Sequence, residues 1–141
     1  MAPLPPLSEK EAFELVRAAA AVRANAHAPY SQFQVGAALL TSSGRVFVGC
    51  NVENASYGLS LCAERSAIVS AVAAGERAFR AIAVVGGSGQ IATPCGACRQ
   101  FMVEFTPEME VLLAAPEALD AITRSTAAQL LPDYFVFRKG A

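Results

Sequence analysis

Cys62 and the pair Cys95 and Cys98 each stand where a loop gives way to a stretch that reads as a helix. No other feature constrains the fold as much. Cys95 and Cys98 are three residues apart, so their thiols share one helical face. Cys62 opens a different helix, from Cys62 to Ala74, closed by Gly75. For the three sulfurs to act together, two helix N-termini must converge on one point. A C-x-x-C alone is weak evidence, divided between metal, redox and accidental placement. A redox role wants a thioredoxin-like strand before the motif, whereas a Gly-rich loop and Pro94 precede Cys95 here.

The rest of the chain supplies elements that could hold such a meeting point. Ser8 and Glu11 form a capping box that opens an amphipathic helix ending before Pro29. Phe33 to Leu40 and Arg45 to Asn51 read as strands joined by the turn Thr41–Gly44, an antiparallel hairpin. Phe79 to Val85 and Met109 to Ala114 are strands flanking a helix from Cys95 to Phe105. Ala121 to Ser125 reads as a short last strand, and Thr126 caps a brief helix to Leu131. Strands alternating with helices after a hairpin predict an α/β fold with a mixed sheet. With 141 residues, one domain over 1–141 is expected, with residues 1–7 flexible.

Composition narrows the functional classes. Apolar residues make up 54% and charged residues 16%, a surplus that predicts burial in a subunit interface as well as a core. Net charge is −1, and cations are scattered apart from Arg138–Lys139, which argues against a nucleic-acid partner. No apolar run is long enough for a membrane span. Met1 to Leu7 is Pro-rich without a cationic start, unlike a secretion signal, so a cytoplasmic setting with reduced thiols is expected.

Three thiolates on one zinc ion leave a fourth position for water, the mark of a catalytic site. They also make the site net negative, which blunts its power to acidify that water. Two helix N-termini and Arg65, one turn from Cys62, can offset this, and Arg65 can donate hydrogen bonds to thiolate sulfur. Glu64 follows Cys62 by two residues, placed to move protons at the open position without binding the metal. Cys50 reads as a small buried apolar residue, and His27, the only histidine, as a loop residue.

At these residues the chain resembles the cytidine deaminase family in its small homotetrameric, three-cysteine form. The resemblance covers nearly the whole length. It runs through Tyr30–Ser31, Phe33, Val35–Leu39, Asn51–Gly58, Cys62–Ala63–Glu64–Arg65, Pro94–Cys95–Gly96–Ala97–Cys98–Arg99–Gln100, Leu130–Leu131–Pro132 and Phe135. It implies a three-layer α/β/α sandwich around a mixed sheet of about five strands. It implies one Zn2+ per subunit on Cys62, Cys95 and Cys98. The implied reaction is hydrolytic deamination of cytidine and deoxycytidine to the uridine nucleosides and ammonia, in pyrimidine salvage. A zinc-activated water attacks C4 of the base, and Glu64 shuttles protons.

The resemblance further assigns the pyrimidine edge to backbone groups of Ala63, the ribose to Asn51 and Glu53, and the base face to Phe33. Ala55, Tyr57 and Phe135 match positions that reach a neighbour's site, which implies a homotetramer with shared active sites. Two rivals remain. A deaminase of the blasticidin S type would share the zinc motifs but differ before Cys62, where this chain reads Asn-Val-Glu-Asn-Ala-Ser-Tyr. A structural zinc module would need a fourth protein ligand, which only Cys50 or His27 could supply.

Overall fold

A computed structural model describes residues 5–87 and 89–137. Arg138 and Lys139 lie outside the described residues, as do residues 1–4. Helix α1 (Glu9–Arg23) begins at the expected capping box: the Ser8 hydroxyl accepts from the Glu11 N–H, and the Glu11 carboxylate accepts from the Ser8 N–H. Strands β1 (Val35–Thr41) and β2 (Val46–Cys50) form the predicted hairpin, with Ala37 opposite Gly49. A single 3-10 turn (Tyr57–Leu59) leads into α2 (Ala63–Ala73). Next come β3 (Phe79–Gly86), α3 (Gly96–Phe105), β4 (Glu110–Ala115), β5 (Ala118–Thr126) and the short α4 (Ala127–Leu130).

The five strands make one sheet in the order β2-β1-β3-β4-β5. Only β3 and β4 are parallel; the other pairs are antiparallel. A parallel pair needs a crossover, and α3 provides it. Alternate strand residues face opposite sides. Ala38, Ala81, Ala83, Val85 and Leu112 pack against α1 on one face. Ala37, Leu39, Ile82, Val84 and Val111 pack against α2 and α3 on the other. The result is the expected three-layer sandwich.

Two glycines set how closely these layers approach. A Cβ on Gly49 would lie 2.4 Å from the Ala67 nitrogen and 2.6 Å from the Ala63 oxygen, so α2 rests on the bare backbone of β2. A Cβ on Gly36 would lie 2.0 Å from the Ala19 oxygen, so the end of α1 sits equally close to β1.

Leu7 is buried, and its N–H donates to the Glu110 carboxylate at 2.7 Å. One expectation needs correction. The last strand starts three residues earlier than expected: β5 is an edge strand, mostly half-buried or exposed, so its sequence lacks an apolar alternation to mark its start.

Candidate active site and metal centre

Cys62 is the N-cap of α2, and Cys95 is the N-cap of α3. Neither side chain caps its helix by a hydrogen bond, so both thiols are free to turn toward each other. Cys98 lies in the first turn of α3 and is buried. The three Sγ atoms lie within 4.8 Å of one another. Cys62 and Cys95 are 3.8 Å apart, and Cys95 and Cys98 are 3.5 Å apart. Tetrahedral zinc with Zn–S bonds of about 2.3 Å wants sulfurs about 3.8 Å apart, so the trio fits with small adjustment. All three are free thiols, and soft sulfur donors suit zinc.

The surrounding charges point the same way. Arg65 Nη2 donates to Cys62 Sγ at 3.4 Å. Its Nε is enclosed without a hydrogen-bond partner. The Cys62 thiol is pulled down to about 5, first by hydrogen bonding from Cys98, then by Arg65 and Cys95 against the cost of burial. The Cys98 thiol is pushed up by that same hydrogen bond and by burial. A thiol binds metal as the thiolate, so metal binding displaces thiol protons.

Glu64 is 5% exposed, and burial pushes its carboxyl up to about 6. Its own backbone N–H opposes that shift, and the Cys62 thiolate adds to it. With Cys62, Ala63 and Cys95 it lines a cleft of about 370 Å3 whose other walls include Phe33, Asn51 and Glu53. The cleft opens at the end of the sheet where β1 starts, β3 stops and α2 and α3 begin.

Asn51 and Glu53 are held firmly. Asn51 donates to the Phe33 carbonyl and accepts from the Val35 N–H, each at 2.8 Å. Glu53 accepts from the N–H groups of Tyr30 and Ser31 at 3.0 and 3.1 Å, and from the Ser31 hydroxyl. The Ser31 hydroxyl, then its N–H, hold the Glu53 carboxyl below its usual range. Each side chain therefore also braces the loop before β1, as strand-end polar residues do. Both residues also line the cleft.

Ala55, Tyr57 and Phe135 do not line this cleft; Tyr57 is 74% and Phe135 71% exposed. Ser31, Val35, Val84, Ala92 and Thr93 do line it, and the sequence reading assigned none of them a role there. Ala92 and Thr93 were discoverable, because the chain just before Cys95 must border any site that Cys95 serves. Arg99 was also passed over. Its Nε donates to the Pro94 carbonyl at 2.8 Å and its Nη1 to the Leu130 carbonyl at 2.7 Å, tying the turn before Cys95 to α4. Cys50 and His27 lie outside the sulfur cluster, so among the described residues no fourth ligand closes the site.

A family model described as the cytidine and deoxycytidylate deaminase zinc-binding region matches residues 9–114. The chain belongs to this deaminase family. The matched span contains all three clustered cysteines, and the family's zinc fits their geometry. A probable cytidine deaminase from Dictyostelium discoideum is 45% identical over 92% of this chain and 86% of its own length. A cytidine deaminase from Halalkalibacterium halodurans is 47% identical over 86% and 91%. The crystal structure of cytidine deaminase from Burkholderia pseudomallei shares the fold with a TM-score of 0.82. It is 54% identical, covering 86% of this chain and 97% of that one.

Proposed function

We propose that the protein is a zinc-dependent cytidine deaminase that converts cytidine and deoxycytidine, with water, to uridine and deoxyuridine plus ammonia. One observation carries the reading: three sulfurs converge beside a buried carboxyl in a cleft of nucleoside size, with no fourth ligand among the described residues. Zinc, when bound, supplies the acidity that makes water a nucleophile near neutral pH. Cys62, Cys95 and Cys98 hold it. Arg65 donates to Cys62 and draws electron density from the sulfur, offsetting the negative ligand set.

Glu64 takes a proton from the attacking water and delivers it to N3 of the pyrimidine. As the C4–N bond breaks, Glu64 takes the second proton of that water, from the hydroxyl now on C4, and hands it to the departing nitrogen, so ammonia leaves, the C4 carbonyl forms and the carboxylate is regenerated. Its burial excludes bulk water from the exchange. Backbone groups of Ala63 hold the pyrimidine edge, and Phe33 packs on the base. Asn51 and Glu53 hydrogen-bond the ribose. Both are already fixed by loop contacts, so little ordering is left to pay on binding.

Ala55, Tyr57 and Phe135 complete the site of a neighbouring subunit in a homotetramer, which their exposure supports. Pyrimidine salvage in the cytoplasm is the setting this activity fits. The test is a product assay on cytidine, deoxycytidine, cytosine and cytidine monophosphate. Turnover of the two nucleosides with little of cytosine or the monophosphate is expected. Preference for cytosine would remove the ribose roles of Asn51 and Glu53, and inertness toward all four would overturn the reading.

A further inference from the structure

We propose that Arg23, outside the cleft, positions Phe33 and so sets how well the base is bound. The inference rests on the deaminase reading for the ligand but on this chain's own geometry for the device. Arg23 is the last residue of α1 and is half-buried. Its Nε donates to the Gln34 carbonyl at 3.0 Å, and its Nη2 donates to the Gly87 carbonyl at 2.9 Å.

These two carbonyls mark the end of a ladder. The β1–β3 pairing ends with Val35 opposite Gly86, so Gln34 and Gly87 form the next, unmade rung. Arg23 bridges that rung with a guanidinium fork. Both ends matter to Phe33. Gln34 follows it directly in the chain. Gly87 lies at the edge of its ring: a Cβ there would stand 3.0 Å from the ring's Cε2 and Cζ, and its φ of +76° favours glycine in any case. Asn51 meanwhile holds the Phe33 carbonyl and the Val35 N–H from the cleft side. Three consecutive residues are thus pinned by two side chains, Asn51 from the cleft side and Arg23 from the end of α1.

The fork is specific to arginine. A planar guanidinium offers parallel donors to two carbonyls, while lysine is a point donor that serves one well. Gly36 makes the approach possible, since a Cβ there would stand 2.7 Å from the Arg23 nitrogen. Arg23 touches neither the sulfurs nor the cleft, so its effect belongs in substrate binding rather than in proton transfer or metal retention.

The test is a double-mutant cycle of Arg23→Gln and Phe33→Ala, with Arg23→Lys as the conservative variant, all zinc-loaded. Arg23→Gln should raise KM for cytidine about tenfold, the scale of one charge-assisted hydrogen bond. Its kcat should stay within about twofold and its zinc content unchanged. Arg23→Lys should recover part of the KM. With Phe33→Ala already present, Arg23→Gln should add less than about twofold, because its effect runs through the ring. The Gly87 α-proton NMR shift, set in part by the ring edge beside it, should move toward its Phe33→Ala value in Arg23→Gln even without substrate. Additive KM effects, an equal loss in kcat, or an unmoved Gly87 signal would each overturn the inference. If wild-type protein were inert toward cytidine, the deaminase reading would fall separately, and the Gly87 shift would still decide whether Arg23 holds the ring.

Discussion

Glu64 and Arg65 are neighbours in sequence, yet they serve opposite partners. Glu64 turns into the cleft with its carboxyl raised by burial, while Arg65 turns to the Cys62 sulfur. Glu64→Gln keeps the shape of the side chain and removes its base. It should retain zinc while kcat falls by at least about 10²–10⁴-fold, the range for a lost general acid-base; near-normal turnover would remove Glu64 from the reaction. Arg65→Ala strips a donor from a ligand sulfur. Zinc affinity measured by chelator competition should drop about 10–100-fold, and unchanged affinity would make Arg65 a packing residue. The cysteine cluster was legible because its meaning lies in local spacing. The tie from Asn51 to Phe33 and Val35 was not, since it joins residues far apart along the chain. Arg23 and Arg99 were hidden for a related reason. An arginine on a helix reads as surface until its carbonyl partners are seen.

Helices α2 and α3 meet the cleft through their N-terminal ends, and the strands fix where those ends fall. α1 and α4 carry full capping boxes, at Ser8 with Glu11 and at Thr126 with Gln129, and such local signals survive into the structure. α2 and α3 instead start at cysteines that do no capping, a local sacrifice that frees both sulfurs. The seat of α2 on β2 was not legible, because nothing in a strand's own pattern says that Gly49 must be bare. Gly49→Ala tests it. The added methyl meets helix backbone that cannot swing aside, so α2 must lift. A loss of about 1–3 kcal/mol is expected, seen as a lower Tm in calorimetry together with weaker zinc retention. An unchanged Tm would mean that α2 shifts freely, and with it Cys62.

The whole molecule leaves a good deal of apolar surface in water. Leu59 and Phe135 are each 71% exposed and Phe137 81%, which is unusual for a chain meant to remain alone. The apolar surplus signalled this in composition, but which residues carry it became clear only when the sheet and helices had claimed their share. Light scattering should give a mass near four times the 14.7 kDa chain. Phe135→Ala should raise KM while leaving the zinc content intact. A monomer that turns over cytidine would contradict sites shared between subunits.

The central claim is that a trio of cysteine sulfurs holds the one ion on which deamination depends. Zinc titration of metal-stripped protein, with uridine and ammonia measured at each step, tests it directly. The account predicts no product without zinc and a linear return of activity that breaks at about one zinc per chain, the capacity of a single three-sulfur site. Full activity in the stripped protein, or none in the fully loaded one, would contradict it.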